Sequence, residues 1–222
     1  MRLLYQVNNK IFVTGATGFI GSSLVPTLAE KGFEVTALAR PGSENKISAH
    51  CTVVSGDALD NGTYRDKLGE CETFIHLVGV SNPAPAKKKE FEDIDLASVE
   101  EALEAIRGSS IKHFIYLSVA NPAPIMKDYI YCRLKGQSLI RETGINATFL
   151  QPWYVLGPGR KWPYILLPFY KILEWIPRTA EGATRLGLVT IKNMVYSILF
   201  AVRNPANGIR IMRAPQIKKF TD

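Results

Sequence analysis

Along the first 150 residues the spacing of apolar positions changes back and forth between two periods. Compact apolar runs at Ile11–Thr14, Glu34–Ala39, Thr52–Ser55, Thr73–Val78, His113–Leu117 and within "NATFLQP" have the length and β-branched or aromatic content of strands. Between them lie segments with helical spacing: Phe19–Lys31, a short one near Asn61–Leu68, Asp95–Arg107, and a longer one at Tyr129–Thr143 that Gly144 stops. Strand and helix alternate, which predicts an α/β fold, a doubly wound parallel sheet with right-handed crossovers and helices on both faces. Its ligands belong at the carboxyl ends of the strands. Pro26 falls inside the first helix and is expected to kink it or to limit its first segment.

After Gln151 the pattern gives way to an aromatic and proline-rich segment, Trp153–Pro177. An amphipathic helix follows at Ile191–Arg203, with Met194, Ile198 and Val202 on one face, and then a closing strand at Gly208–Met212. The expected organisation is a single nucleotide-binding domain over 1–222, with a small substrate-side lobe formed mainly by 153–187.

Composition narrows the function classes. Of 222 residues, 46% are apolar and 21% charged, the profile of an ordinary globular chain. The greasiest stretch, Trp162–Trp175, is broken by Pro163, Pro168, Lys171 and Glu174 and falls short of the ~20 residues of a membrane span. The amino terminus lacks a cleavable signal pattern. Cys51, Cys71 and Cys132 show no metal-like or paired spacing, so they read as thiols in a reducing compartment; the expectation is a cytoplasmic protein, an organelle matrix being also compatible, with no metal. The net charge of +7 favours an anionic partner. Because acidic residues follow Lys87-Lys88-Lys89 at once, that run reads as a solvated approach to a helix, and no nucleic-acid partner is expected.

The stretch "FVTGATGFIGSSL" places Gly15, Gly18 and Gly21 at the first strand-to-helix junction. A diphosphate needs bare backbone there, because unpaired N–H groups and the positive end of the helix dipole converge on that point. Gly15 serves the tight turn, Gly18 the close approach of the phosphates, and Gly21 the packing of helix on sheet. At the end of the second strand, "ALARPGS" carries Arg40 where an acidic residue would grip a ribose diol. Arg40, helped by Ser43, suits a 2′-phosphate, so NADP is favoured over NAD. Asp57 is placed to meet the adenine amino group or to form an Asx turn.

The motifs "TGATGFIG", "ALAR", "GDALD", "HLVGV", "YCRLK" and "FLQPWYVLGPG", in that order, resemble the atypical and extended short-chain dehydrogenase/reductase superfamily, with a Rossmann fold. The chain looks most like the branch that includes the NmrA-like regulators and the complex I accessory subunits. Thr17, Phe19, Ile20, Ala58 and Leu77 lie within or beside these motifs and are expected to line the cofactor. By the resemblance Gly79 lines the nicotinamide ribose, and Pro152 and Trp153 flank the nicotinamide. The resemblance also implies a Tyr-x-x-x-Lys pair, supplied by Tyr131 and Lys135 on one helical face, with Tyr131 as acid/base and Lys135 stabilising its phenolate and holding the ribose. Tyr129 has the wrong spacing to Lys135. The family's catalytic hydroxyl follows the fifth strand; Ser118 is the candidate, although alignment of the strand puts Val119 at that place. Shortly after the Lys, where the family often has Glu, this chain has "KGQS", and before the Pro, where it often has Arg, Gln151. His76 reads as a hydrogen-bonded core histidine.

Two functions follow. The first is an NADP-dependent oxidoreductase acting on a small, apolar carbonyl or alcohol. The other is a dinucleotide-binding redox sensor or assembly protein without turnover, meeting a protein partner or a membrane surface through 160–178. An epimerase is less favoured, because the lobe is small for a sugar nucleotide. Oligomeric state is open.

Overall fold

The computed structural model describes residues 9–47, 50–123, 125–158 and 187–221. Seven strands form one parallel sheet: β1 (Lys10–Thr14), β2 (Glu34–Ala39), β3 (Thr52–Ser55), β4 (Thr73–His76), β5 (His113–Leu117), β6 (Asn146–Gln151) and β9 (Ile209–Arg213). Their order is β3-β2-β1-β4-β5-β6-β9. The chain reverses direction across the sheet between β1 and β4, and the carboxyl ends of these two strands open the crevice where ligands of such sheets bind. A separate two-strand pair joins β7 (Val155–Leu156) to β8 (Val189–Thr190). Most of the expected substrate lobe, and all of 160–178, lie outside the described residues.

Side chains alternate across each strand, so the sheet has two different faces. Ile11, Val13, Ile75, Ile115 and Leu150 pack against α1 (Gly21–Glu30) and α4 (Ile191–Arg203). On the other face the register Phe12↔Phe74↔Phe114 builds a row of stacked rings, with centroids 5.5 and 5.2 Å apart, under α2 (Ala97–Ile106) and α3 (Lys127–Glu142). One rung further on come Thr14, His76, Tyr116 and Phe149.

Boundaries differ from the sequence expectation where tertiary contacts override local pattern. The short helix near 61–68 is two 3₁₀ turns, Asn61–Thr63 and Arg65–Lys67. The helix expected from Asp95 is preceded by a π-helical turn, Phe91–Leu96, which brings both Phe91 and Asp95 inward. Pro26 neither ends nor splits α1, which runs unbroken through it. A short helix, α5 (Ala214–Ile217), closes the described chain.

His76 is wholly buried and held by Thr14 Oγ1 at 2.9 Å and Ser98 Oγ at 3.1 Å. Burial, and then the charge of Arg133, push its pKa down to about 3; burial, and then Arg210, push His113 down to about 4. In the unfolded chain both titrate near ~6.5. Between about 6.5 and 4, therefore, the unfolded chain binds protons that the native state refuses. This contribution to stability is complete above about pH 6.5 and is lost as the pH falls below it. Urea midpoints measured from pH 7.5 to 5 are expected to fall, and less steeply in His113→Gln.

Candidate active site

The loop after β1 is shaped by contacts that only glycine permits. Gly15 has φ +73°, and a Cβ there would lie 2.7 Å from the Leu77 carbonyl carbon. A Cβ on Gly21 would collide with the Gly15 and Ala16 carbonyl oxygens. The helix that follows has no side-chain cap and no acidic residue in its first turn, so its positive end faces the crevice uncompensated. These features fit a dinucleotide diphosphate.

Two continuous clefts run from this point. One, of about 340 Å³, lies toward β2 and β3 and is lined by Thr17, Arg40, Asp57, Ala58 and Lys87 among others. The second, of about 190 Å³, lies toward β5 and β6 and is lined by Phe19, Ile20, Gly21, Ser118, Pro152 and Trp153 together with Tyr129 and Arg133. Gly15, Gly18, Leu77, Gly79, Val80 and Ser81 line both. Arg40 opens a turn over Pro41 and Gly42, closed by the Ser43 N–H on the Arg40 carbonyl at 2.9 Å. Gly42 at φ +80° fits the third position of a type II turn. Ser43 itself does not line the cleft. Asp57 accepts from the Leu59 N–H at 3.0 Å, an Asx turn, while still lining the cleft.

The end of the crevice toward β5 and β6 departs from the sequence reading. Tyr131 is 62% exposed and Lys135 is exposed as well; neither lines the cleft. A shift of two residues turns a helix by about 200°. Tyr129 and Arg133, the same spacing two positions earlier, therefore face inward where the expected pair faces out. Ser118 lines the cleft, whereas Val119 is buried behind it, so the hydroxyl sits where Val119 was expected.

Arg133 is held at both terminal nitrogens, while its buried Nε has no hydrogen-bond partner among the described residues. Its Nη2 meets Asp95 Oδ1 at 2.5 Å, both side chains being essentially inaccessible, and its Nη1 donates to the Leu117 carbonyl at 2.8 Å. The guanidinium lies 5.8 Å from the Tyr116 ring centroid and 5.4 Å from that of Tyr129. Asp95 also accepts from the Val80 N–H at 3.0 Å. Burial raises the Asp95 carboxyl, and Arg133 and the Val80 N–H pull it back. Burial opposes the charge on Arg133, yet Tyr129, Asp95 and Tyr116 outweigh it, so its pKa stays above the ordinary arginine value. Gly79 is required because a Cβ there would occupy the place of the Arg133 Nη2.

A family model described as "NAD dependent epimerase/dehydratase family" matches residues 11–211, nine-tenths of the chain. The chain belongs to that family. Among its relatives, a ceramide reductase from Caulobacter vibrioides is 24% identical over 204 residues, which are 90% of this chain and 62% of that protein. Tetraketide alpha-pyrone reductase 1 from Arabidopsis thaliana is 27% identical over 171 residues, 68% of this chain and 50% of that one. The chain thus spans between a half and two thirds of the length of these epimerase/dehydratase relatives. The Bordetella bronchiseptica enzyme WbmH, solved in complex with NAD+, superposes with a TM-score of 0.69 at 18% identity, covering 92% of this chain and 75% of that one, and shows the fold.

Tyr129, Arg133 and Asp95 escaped the sequence reading because a Tyr-x-x-x-Lys match was available nearby. The usable signal was the helix's buried face: Ile130, Gly136 and Ile140 recur with Arg133 and Gln137, and Tyr131 and Lys135 fall off it.

Removing one member of the Asp95–Arg133 pair leaves a buried charge alone, at a cost of about 3–5 kcal/mol. Asp95→Leu is expected to lower unfolding stability by that order, and the double variant Asp95→Leu/Arg133→Met to recover a large part of it, as read by urea unfolding.

Proposed function

We propose that the chain is an NADP-dependent oxidoreductase acting on a small, apolar carbonyl or alcohol. One observation carries this reading: two adjoining clefts share the glycine turn as a wall, one lined by Arg40 and the other by Ser118, Tyr129 and Arg133. When bound, the dinucleotide supplies or accepts a hydride. The turn Gly15–Gly21 and the start of α1 hold its diphosphate, and Arg40 offers two charged donors to a 2′-phosphate.

Tyr129 gives its proton to the substrate oxygen or takes it back. The negative charge that develops on the phenol oxygen as it gives up its proton calls for a nearby cation. Arg133 supplies a charge that does not leave, because Asp95 and the Leu117 carbonyl hold it. Ser118 donates a second hydrogen bond to the same oxygen. Phe19, Trp153 and Val155 give this end apolar walls. The reductases among the relatives support the reaction class. One feature favours the alternative, a dinucleotide sensor: both terminal nitrogens of Arg133 are engaged away from any ribose.

The test is NADPH oxidation with acetophenone, cyclohexanone and related ketones. Tyr129→Phe is expected to lower kcat/KM by about 10²-fold or more, and Tyr131→Phe to leave it unchanged. Tight NADPH binding without oxidation of any ketone would turn the assignment to the sensor.

For the nucleotide, Arg40→Ala is expected to weaken NADPH by about ten-fold or more, the loss of a charge-assisted contact. NADH should be unaffected in the same calorimetric titration. Equal loss for both nucleotides would remove the 2′-phosphate role.

A further inference from the structure

Tyr129, Arg133 and Gln137 stand at i, i+4 and i+8 on the inward face of α3, so a third polar side chain enters the protein one turn beyond the guanidinium. Gln137 is buried, and its Nε2 donates to Ser118 Oγ at 2.5 Å. Its own Oε1 accepts from Nε2 of Gln151, also buried, at 3.4 Å. The chain of bonds therefore runs in one direction, from the last residue of β6 through mid-α3 to the residue that follows β5. Ser118 is fixed at its other side by its N–H on the Leu150 carbonyl at 2.8 Å.

A serine hydroxyl has one hydrogen and two lone pairs. Gln137 occupies a lone pair. Among the described residues no acceptor takes the Ser118 hydrogen, and Ser118 lines the cleft. We infer that Gln137, itself oriented by Gln151, is a positioning residue that sets Ser118 as a hydrogen-bond donor toward the cleft, so that this end of the site binds ligands presenting an acceptor oxygen. The inference rests on the placement of the carbonyl end given above. It adds to it the direction of the hydroxyl and the residue responsible.

The relay is neutral throughout, and this matters for its role. A carboxylate at position 137 could only accept. It would draw the Ser118 hydrogen to itself and also satisfy Gln151, leaving lone pairs of Ser118 toward the ligand. Gln137→Glu therefore reverses the hydroxyl with nearly the same side-chain shape, whereas Gln137→Met removes the donor without replacing it.

The experiment uses benzamide, an apolar ligand whose carbonyl accepts a hydrogen bond and is not reduced, titrated into the NADP+-loaded protein. NADP+ affinity and the thermal midpoint are measured beside it. Ser118→Ala and Gln137→Glu are each expected to weaken benzamide by about ten-fold, the scale of one lost hydrogen bond, with NADP+ affinity kept within about two-fold. Gln137→Met should weaken it by about three-fold, and it carries the test if the glutamate variant fails to fold. In the Ser118→Ala background neither change at 137 should weaken benzamide further, because residues acting through one hydroxyl are not additive. The proposal is overturned by no benzamide binding to the parent protein, by binding indifferent to Ser118→Ala, or by equal losses from Gln137 variants with and without Ser118. Ketone turnover with additive losses would reject the relay and keep the oxidoreductase. Benzamide held through Ser118 without NADPH oxidation would keep the relay and reject turnover.

Discussion

The geometry of the candidate site depends on one buried charge. A guanidinium out of contact with water must be paired and hydrogen-bonded, or it costs several kcal/mol. Arg133 meets that requirement by drawing four pieces of chain to one point: α3 that carries it, the π-helical turn that presents Asp95, the Leu117 carbonyl at the end of β5, and the loop after β4, where Val80 bonds the same carboxylate. Those pieces wall the crevice. Phe91 and Asp95, both buried, are carried by this π-helical turn. Gly79 follows from it too, as the only residue that leaves room for the guanidinium.

The fold was legible because periodicity is a collective signal. Each strand showed itself by several apolar residues, and the sheet's two faces needed both parities filled, as in Phe12 beside Ile11 and Val13. The dinucleotide end was legible for a different reason. Steric exclusion at Gly15 and Gly21 allows one residue type only, so identity in the sequence encodes geometry directly. Arg40, Asp57 and Ala58 came with it, because a strand end fixes where the next few residues go. Ser43 did not, since the turn at Pro41 and Gly42 carries it past the crevice mouth.

The carbonyl end was legible as a helix but not as a face. Two tyrosines two residues apart, each followed by a base four positions on, offer the same local pattern on opposite sides of α3. A motif of four residues cannot choose between them; burial can. Ile130, Gly136 and Ile140 mark the inward side, and Gly136 sits there because the Tyr116 hydroxyl approaches where a Cβ would be. Asp95 was hidden among acidic neighbours, Glu92 and Asp93, whose exposure is ordinary.

Arginine in place of lysine beside Tyr129, the tyrosine proposed as acid/base, changes what the rest of the site has to supply. A lysine ammonium is a compact, mobile charge that can serve phenolate and ribose together, whereas a guanidinium is planar and takes its partners in fixed directions. Here those directions point to Asp95 and the Leu117 carbonyl, so the charge beside Tyr129 is permanent and immobile. In the proposed reaction, orientation of the substrate oxygen then falls more heavily on Ser118, whose own partner, Gln137, is one helical turn further along and neutral. The inward face of α3 thus separates two tasks, a fixed field at Arg133 and a directed hydrogen at Ser118. Both are set by buried contacts that exist before any ligand enters, which is the condition under which dipoles stabilise developing charge without reorganising.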